Sequence, residues 1–94
     1  MKAAELGNPV AQLSIGEMYF NGLGVNRDSV QSAEWIRKAA EQGLAAAQCS
    51  LGTSYETGFG IEQDYAEAVK WYRKAAAQGN EFAKNRLEDL GLII

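Results

Sequence analysis

The chain has 94 residues, of which 47% are hydrophobic and 22% are charged, a composition that predicts one globular domain with a modest core. Nine Lys and Arg against 12 Asp and Glu give a net charge of −3, so the chain lacks the basic surface that a nucleic acid or an anionic membrane requires. Because it contains no His and one Cys, His-based triads, an intramolecular disulfide and the usual zinc clusters are excluded.

The sequence repeats itself with a period of 36 residues. Glycine, tyrosine, aspartate and tryptophan residues recur at this spacing: Gly16 with Gly52, Tyr19 with Tyr55, Gly22 with Gly58, Gly24 with Gly60, Asp28 with Asp64, and Trp35 with Trp71. Such periodicity indicates units that bury their apolar faces by stacking on one another. We predict a single domain over 1–94, made of the tail of a preceding repeat (1–7), two whole repeats (8–43 and 44–79), and a closing helix and tail (80–94).

Each repeat begins with a predicted helix whose apolar residues lie four positions apart on one face. Asn8 and Asn80 are suitable N-caps, whereas Leu44 at the matching position of the middle helix is not. The face consists of Ala11, Ile15 and Tyr19 in the first repeat and of Ala47, Leu51 and Tyr55 in the second.

Glycines mark two further features of these first helices. Gly16 and Gly52 stand inside them, where Gly costs about 1 kcal/mol relative to Ala, so we predict a close helix crossing with no space for a Cβ. The segments Gly22–Val25 and Gly58–Ile61 end the helices, and their Gly-x-Gly pattern predicts a positive φ at one or both glycines. No strand, third Gly or P-loop Lys accompanies the pattern, which argues against a phosphate-binding loop.

The second helix of each repeat begins at a predicted capping box. Asp28 precedes Gln31 by three residues, and Asp64 precedes Glu67 in the same way. In such a box the Asp accepts from free backbone N–H groups and the later side chain bonds back to the Asp N–H. A stripe with helical spacing then predicts a buried face that includes both tryptophans. The stripe consists of Ser32, Trp35, Ile36 and Ala39, and of Ala68, Trp71, Tyr72 and Ala75.

Together these patterns resemble the Sel1-like repeat, a relative of the tetratricopeptide repeat with a slightly longer unit. The resemblance rests on Ala-x-x-x-(Leu/Ile)-Gly-x-x-Tyr, then Gly-x-Gly-(Val/Ile)-x-x-Asp, then Trp-x-Arg-Lys-Ala-Ala-x-Gln-Gly, and it covers Lys2 to about Leu90. It implies an all-α fold, an α/α solenoid of antiparallel helix pairs with about two and a half repeats. It also implies an adaptor or scaffold for protein–protein contacts, often in bacterial proteins, without conserved chemistry.

Resemblance to tetratricopeptide proteins places the first helix of each repeat on a concave face, which can hold an extended peptide or another protein's helix. The candidate binding residues are the positions on this face that packing does not use. They are Leu13, Ser14, Glu17, Phe20, Asn21, Ser50, Thr53, Glu56, Thr57, Asn85, Arg86 and Asp89, with Cys49 on the same face. This largely polar mixture favours a peptide over a lipid.

We predict no catalytic, cofactor-binding or metal-binding residue. Cys49 has no His to activate it and aligns with Leu13, so we interpret it as a thiol without a catalytic role. Asp28 and Asp64 lie one repeat apart and each is assigned as a cap, which argues against a catalytic carboxylate pair.

The sequence thus predicts a non-catalytic protein–protein interaction module that binds a protein or peptide on the concave face. The alternative is a purely structural segment of a larger solenoid with no ligand site of its own. A hydrolase-like activity, as in the cysteine-rich branch of the family, is a remote third hypothesis because Cys49 has no second Cys to pair with.

Beyond a protein or peptide ligand, we predict no cofactor, no nucleic-acid partner and no membrane insertion, since no apolar run approaches the roughly 18 residues of a membrane helix. Self-association through the first complete helix is a further prediction. The segment Met1–Gly7 is too short to cover that helix, so Val10, Met18 and the back of Ile15 are expected to face water. No feature of the sequence assigns a compartment.

Overall fold

The computed structural model describes residues 4, 6–22 and 28–91, and five α-helices and no strand lie within this part of the chain. The helices are α1 (Pro9–Asn21), α2 (Ser29–Glu41), α3 (Ala45–Thr57), α4 (Tyr65–Ala77) and α5 (Glu81–Asp89). α1 packs on α2 and α3 packs on α4, which gives two helix pairs. Because α2 packs on α3 and α4 on α5, the pairs stack in chain order, and the predicted all-α solenoid is confirmed.

Each helix pair is held at a close crossing by a glycine in its first helix. A Cβ placed on Gly16 would lie 2.6 Å from Cγ1 of Ile36, and a Cβ on Gly52 would lie 2.8 Å from Cδ1 of Tyr72. Both distances are well below van der Waals contact, so the backbone of the first helix rests directly on a large side chain of the second. The crossing predicted from these glycines is confirmed.

Aspartates cap the second helix of each pair. Oδ1 of Asp28 accepts hydrogen bonds from the backbone N–H groups of Val30 and Gln31 at 3.0 and 3.1 Å. Oδ1 of Asp64 accepts from the N–H of Glu67 at 3.1 Å. These bonds satisfy donors that a helix N-terminus leaves unpaired, and they confirm the capping half of the predicted box.

The return half of the predicted capping box is wrong. The backbone N–H of Asp28 donates to the carbonyl oxygen of Tyr19 at 3.0 Å, and that of Asp64 donates to the carbonyl of Tyr55 at 2.9 Å. The N–H group that Gln31 or Glu67 would have bonded is therefore already engaged. This bond ties the start of each second helix to the last turn of the helix before it.

A pair of glutamines links each repeat to the preceding one. Nε2 of Gln78 donates to Oε1 of Gln48 at 2.9 Å and to the carbonyl of Gly43 at 2.8 Å. Gln48 is buried, and its own amide donates to the carbonyl of Ala40 at 3.4 Å. The buried amide thus has partners for both its oxygen and its nitrogen, and it joins the end of α4, the first turn of α3 and the end of α2.

The first repeat contains the same arrangement. Nε2 of Gln42 donates to Oε1 of Gln12 at 2.8 Å and to the carbonyl of Gly7 at 2.7 Å. Gln12 in turn donates to the carbonyl of Ala4 at 3.3 Å. Recurrence of this network at the same register shows that the glutamines form a constant part of the interface between repeats.

The main core cluster runs from α2 through α3 and α4 to α5. Leu51, Tyr72 and Leu87 have no exposed surface, and Trp71 is 7% exposed within the same cluster. Trp71 therefore lies in the core, as predicted. Trp35 does not belong to this cluster and is half-buried, so its assignment to the core is wrong. Instead, the Nζ of Lys38 lies 4.3 Å from the centroid of the Trp35 ring and makes a cation–π contact at the surface.

The turn after α3 packs against the start of α2. Gly58 ends α3 with φ 77°, and Gly60 has φ 75°, so the predicted positive φ is confirmed at both glycines. A Cβ on Gly60 would collide with the carbonyl oxygen of Ser29, which fixes this turn against the neighbouring pair. In the first repeat Gly22 has φ 72°, while Gly24 lies outside the described residues, as do the tail over 92–94 and most of 1–7.

We expect Asp64→Ala to lower the free energy of unfolding by about 1 kcal/mol, because the substitution removes the acceptor of the Glu67 N–H. Asp64→Asn keeps an acceptor oxygen and serves as the control. Chemical denaturation followed by circular dichroism measures both changes. An unchanged midpoint for the Ala variant would contradict the capping role.

Candidate binding groove

A groove of about 640 Å³ lies on the face formed by α1, α3 and the start of α5. The described lining residues come from α1, α2, α3, the turn after α3, and α5. They are Glu17, Phe20, Ile36, Cys49, Ser50, Thr53, Ser54, Thr57, Phe59 and Phe82. The groove therefore spans both repeats and follows the first helices, on which the candidate binding residues were predicted.

Phenylalanines give the groove aromatic walls. The rings of Phe20 and Phe59 lie 4.8 Å apart between centroids and are tilted by 54°, a favourable arrangement for an aromatic pair. Phe20 and Phe82 remain 44% and 54% exposed, while Ile36 and Cys49 are buried beneath them. The groove thus combines an apolar floor with aromatic surface that a ligand can cover.

Hydroxyl groups of α3 form a polar edge along the groove. Oγ1 of Thr57 donates to the carbonyl of Thr53 at 2.8 Å, and Oγ of Ser54 donates to the carbonyl of Ser50 at 3.2 Å. Oγ1 of Thr53 lies 3.3 Å from the carbonyl of Cys49. Each of these oxygens keeps lone pairs that can accept a hydrogen bond from a ligand.

One repeat further along, the interface between α3 and α5 is filled by a polar network. The guanidinium of Arg86 pairs with the carboxylate of Glu56: its Nε donates to Oε1 at 3.2 Å and its Nη2 contacts Oε2. The hydroxyl of Tyr72 donates to the same Oε1 at 2.8 Å and lies 2.9 Å from Oγ1 of Thr53. Nη1 of Arg86 also donates to Oδ2 of Asp89 at 3.3 Å.

The repeat register explains why the earlier interface stays open. Except at Glu17, the residues at the positions of this network are smaller or apolar one repeat earlier. Glu17 corresponds to Thr53, Phe20 to Glu56, Ile36 to Tyr72, and Ser50 to Arg86. Ile is shorter than Tyr and Ser is much shorter than Arg, so these side chains leave unfilled the space that the network occupies in the second interface.

Burial and charge set the protonation of the network. Burial raises the pKa of the Glu56 carboxyl, but the hydrogen bonds from Arg86 and Tyr72 and the charge of Arg86 outweigh burial, so its pKa lies below the ordinary value. Burial, supported by the charge of Glu56, raises the pKa of Tyr72 to about 12. At neutral pH, Glu56 is a carboxylate and Tyr72 a neutral donor.

The candidate binding residues fall into four groups. Five of them line the groove: Glu17, Phe20, Ser50, Thr53 and Thr57. Three others belong to the polar network: Glu56, Arg86 and Asp89. Leu13 is half-buried and packs against the hydrophobic core. Ser14, Asn21 and Asn85 are exposed and are not among the residues that line the groove.

Sequence reasoning missed four lining residues: Ile36, Ser54, Phe59 and Phe82. Phe82 had a detectable signal, since it stands at the position of Val10 and Ala46 and replaces small or aliphatic residues by a large aromatic one. Ile36 was assigned to the packed stripe, and it does contact Gly16 while its other side forms the groove floor.

The groove has no reactive nucleophile among its described residues. Burial raises the pKa of the Cys49 thiol to about 11, so the thiol stays protonated at neutral pH and is a poor nucleophile. The described residues contain no group of three or more His, Cys, Asp or Glu that could hold a metal ion. None of the described helices is long and apolar enough to cross a membrane.

Stacked helix pairs with a groove along their first helices define an α/α repeat solenoid. The Sel1 repeat profile matches residues 9–44 and 45–80, and the chain belongs to the Sel1 repeat family. No curated protein matches the chain.

Three solved structures resemble the chain closely. A Sel1 repeat protein from Oxalobacter formigenes is 52% identical, with a TM-score of 0.92 over 93% of this chain and 65% of that one. A protective antigen of uropathogenic Escherichia coli with an SLR fold is 45% identical, with a TM-score of 0.91 over 97% of this chain and 20% of the antigen. Helicobacter pylori cysteine rich protein B is 30% identical, with a TM-score of 0.87 over 92% of this chain and 65% of that one. The chain thus spans less than two thirds of the length of each protein.

We expect Glu56→Gln to destabilise the fold more at pH 7 than at pH 3. The folded-state pKa of Glu56 lies below its ordinary value, so the stability that the carboxylate contributes is present at neutral pH and is lost as the pH falls through that pKa. The expected loss is roughly 2 kcal/mol at pH 7, because a hydrogen-bonded charge is removed.

Denaturation midpoints at several pH values measure this effect. Glu62→Gln, which removes an exposed carboxylate, is the control and should have little effect at either pH. A loss for Glu56→Gln that does not depend on pH would show that the carboxylate charge is unimportant.

Proposed function

We propose that the chain is a non-catalytic interaction module that binds an extended peptide segment of a partner protein in the groove. Sel1 repeats commonly serve as protein–protein interaction modules, and their fold is generally a non-catalytic scaffold. The observation that carries the proposal is the pair of exposed phenylalanines, Phe20 and Phe82, at the edges of a groove with a buried apolar floor.

The dimensions and surface of the groove support a peptide ligand. Its volume of about 640 Å³ suits one or two side chains of a peptide. Aromatic residues beside an apolar floor are typical of the small number of positions that dominate the energy of protein interfaces. The hydroxyl oxygens of Thr53 and Thr57 can accept hydrogen bonds from backbone N–H groups, which an extended peptide offers along its length.

The alternative is a structural segment of a larger solenoid. In the interface of Glu56 and Arg86, side chains of the chain itself fill the junction between repeats. Because the junction between α1 and α3 has an open groove at the matching positions, we favour a binding role for it.

The open and filled interfaces suggest a direct test. The triple substitution Phe20→Glu, Ile36→Tyr and Ser50→Arg copies Glu56, Tyr72 and Arg86 of the filled interface into the groove. We expect this variant to fold with a similar melting temperature and to lose at least about tenfold in affinity for peptides selected by phage display on the wild-type chain. Isothermal titration measures the affinity, and circular dichroism checks the fold.

The control is the double substitution Lys38→Ala and Lys74→Ala, which changes exposed residues on the second helices. It should leave peptide binding within about twofold of the wild type. Undiminished binding by the folded triple variant would place the site elsewhere. Failure of the wild-type chain to select any peptide would favour the structural alternative.

A second proposal is that two copies of the chain associate through their N-terminal ends. Leu6 and Val10 are 79% and 61% exposed at this end. The prediction that the back of Ile15 faces water is wrong, because Ile15 is 4% exposed and packs inside the pair; Met18 is half-buried. Among the described residues of this end, the exposed apolar side chains are thus Leu6 before α1 and Val10 in its first turn, and a second copy can cover them.

We expect light scattering over a concentration series to show a monomer that forms dimers as the concentration rises. Val10→Glu should prevent the association, because it places a charge in the contact. Val30→Glu is the matched control, since Val30 is similarly exposed on α2. A monomer at every concentration, or equal effects of the two substitutions, would contradict the proposal.

A further inference from the structure

The hydroxyl groups that line the groove act mainly as hydrogen-bond acceptors toward a ligand. Three of the four belong to Thr53, Ser54 and Thr57, and their protons are engaged inside the protein. Ser54 and Thr57 donate to carbonyls of α3, and Thr53 lies within hydrogen-bond distance of the Cys49 carbonyl and the Tyr72 hydroxyl. The matching ligand group is therefore one that carries several donors.

The described lining residues of the groove carry a negative charge. Of the described lining residues, Glu17 alone has a charged side chain, and this side chain is exposed. Within the described part of the chain Glu17 forms no ion pair, whereas Glu56 in the filled interface is neutralised by Arg86. A cation of the ligand would meet an unpaired carboxylate here.

The aromatic walls also favour a particular cation. A guanidinium group is planar and stacks on aromatic rings, and it is less strongly hydrated than an ammonium group. Phe20 lies one turn after Glu17 on α1, so an aromatic ring and a carboxylate are adjacent on the same wall. The chain already uses this chemistry at Arg37, whose guanidinium carbon lies 5.8 Å from the centroid of the Tyr55 ring while Nη2 donates to the Tyr55 hydroxyl at 2.8 Å.

The filled interface supplies a template for the ligand. There the guanidinium of Arg86 reaches across from α5 to α3, and Ser50 is the residue at the Arg86 position in the groove. We infer that the groove accepts an arginine side chain from the partner's peptide, which takes the place that Arg86 holds one repeat later. Its aliphatic stem covers Ile36 and Cys49. Because Phe20 stands at the position of Glu56, its guanidinium pairs instead with Glu17, one turn before Phe20, and packs against the phenylalanine rings. This inference rests on the proposed function and specifies the ligand of that groove.

The test uses the 94-residue chain and a short fluorescent peptide with leucines flanking one variable position. The position carries arginine, citrulline or leucine; citrulline retains the shape of arginine without its charge. We expect the arginine peptide to bind about tenfold more tightly than the citrulline peptide. Fluorescence anisotropy measures each Kd.

Glu17→Gln should reduce the ratio of the citrulline Kd to the arginine Kd to about two. Glu34→Gln, a matched change on the exposed surface of α2, should preserve this ratio.

The outcomes separate the two proposals. Equal binding of the arginine and citrulline peptides would overturn the arginine inference, and so would a ratio that Glu17→Gln leaves unchanged. In either case, binding that the groove-filling triple variant abolishes would still support the peptide module. If none of the three peptides binds to the chain, the proposed function itself fails with these ligands, and the inference that rests on it is rejected.

Discussion

The close crossing of the two helices in each pair is the constraint on which the rest of the structure depends. At Gly16 and Gly52 the first helix has no side chain, so the second helix lies near enough for Ile36 or Tyr72 to rest on its backbone. That contact fixes where these two side chains stand relative to the face of the first helices. It therefore fixes both the floor of the groove and the position of the Tyr72 hydroxyl. This hydroxyl donates a hydrogen bond to the Glu56 carboxylate, which pairs with Arg86. A Cβ at either glycine would move the second helix away from this position.

The two interfaces show how one backbone arrangement produces two different surfaces. Constant elements hold the repeats in the same geometry: the glycine crossings, the Asp caps and the buried Gln12 and Gln48 networks. The residues that vary lie where consecutive first helices face each other. In the second interface they form a satisfied polar network that occupies the available space, and in the first they leave an apolar groove. Binding capacity in this chain thus depends on variation at a few positions whose surroundings are held constant by the repeat.

Much of the fold follows from the sequence because its determinants are local. Asp64 caps a helix by reaching a backbone N–H three residues away, and the spacing of residues within one helix decides which face is apolar. The binding site was only partly accessible in this way. Glu17 and Phe20 were found because they lie on the correct face of α1, but Phe82 and Phe59 come from a different helix and from a turn. Arg86 was identified as a candidate binding residue, yet its charge is engaged by Glu56, a residue 30 positions earlier in the chain.

The sequence by itself determined the repeat period, the helices, their caps, the glycine crossings and the family, since each depends on residue types at short, regular spacings. Tertiary structure decided which of two equivalent junctions is open. Ile36 and Tyr72 occupy the same register position, and only their contacts with neighbouring helices show that one leaves a cavity and the other fills it. It also decided that the N–H of Asp64 bonds to the Tyr55 carbonyl and not to Glu67, because the packing of α3 on α4 brings that carbonyl within reach. Contacts between residues far apart in the chain depend on the relative position of whole helices, and local patterns carry no information about that distance.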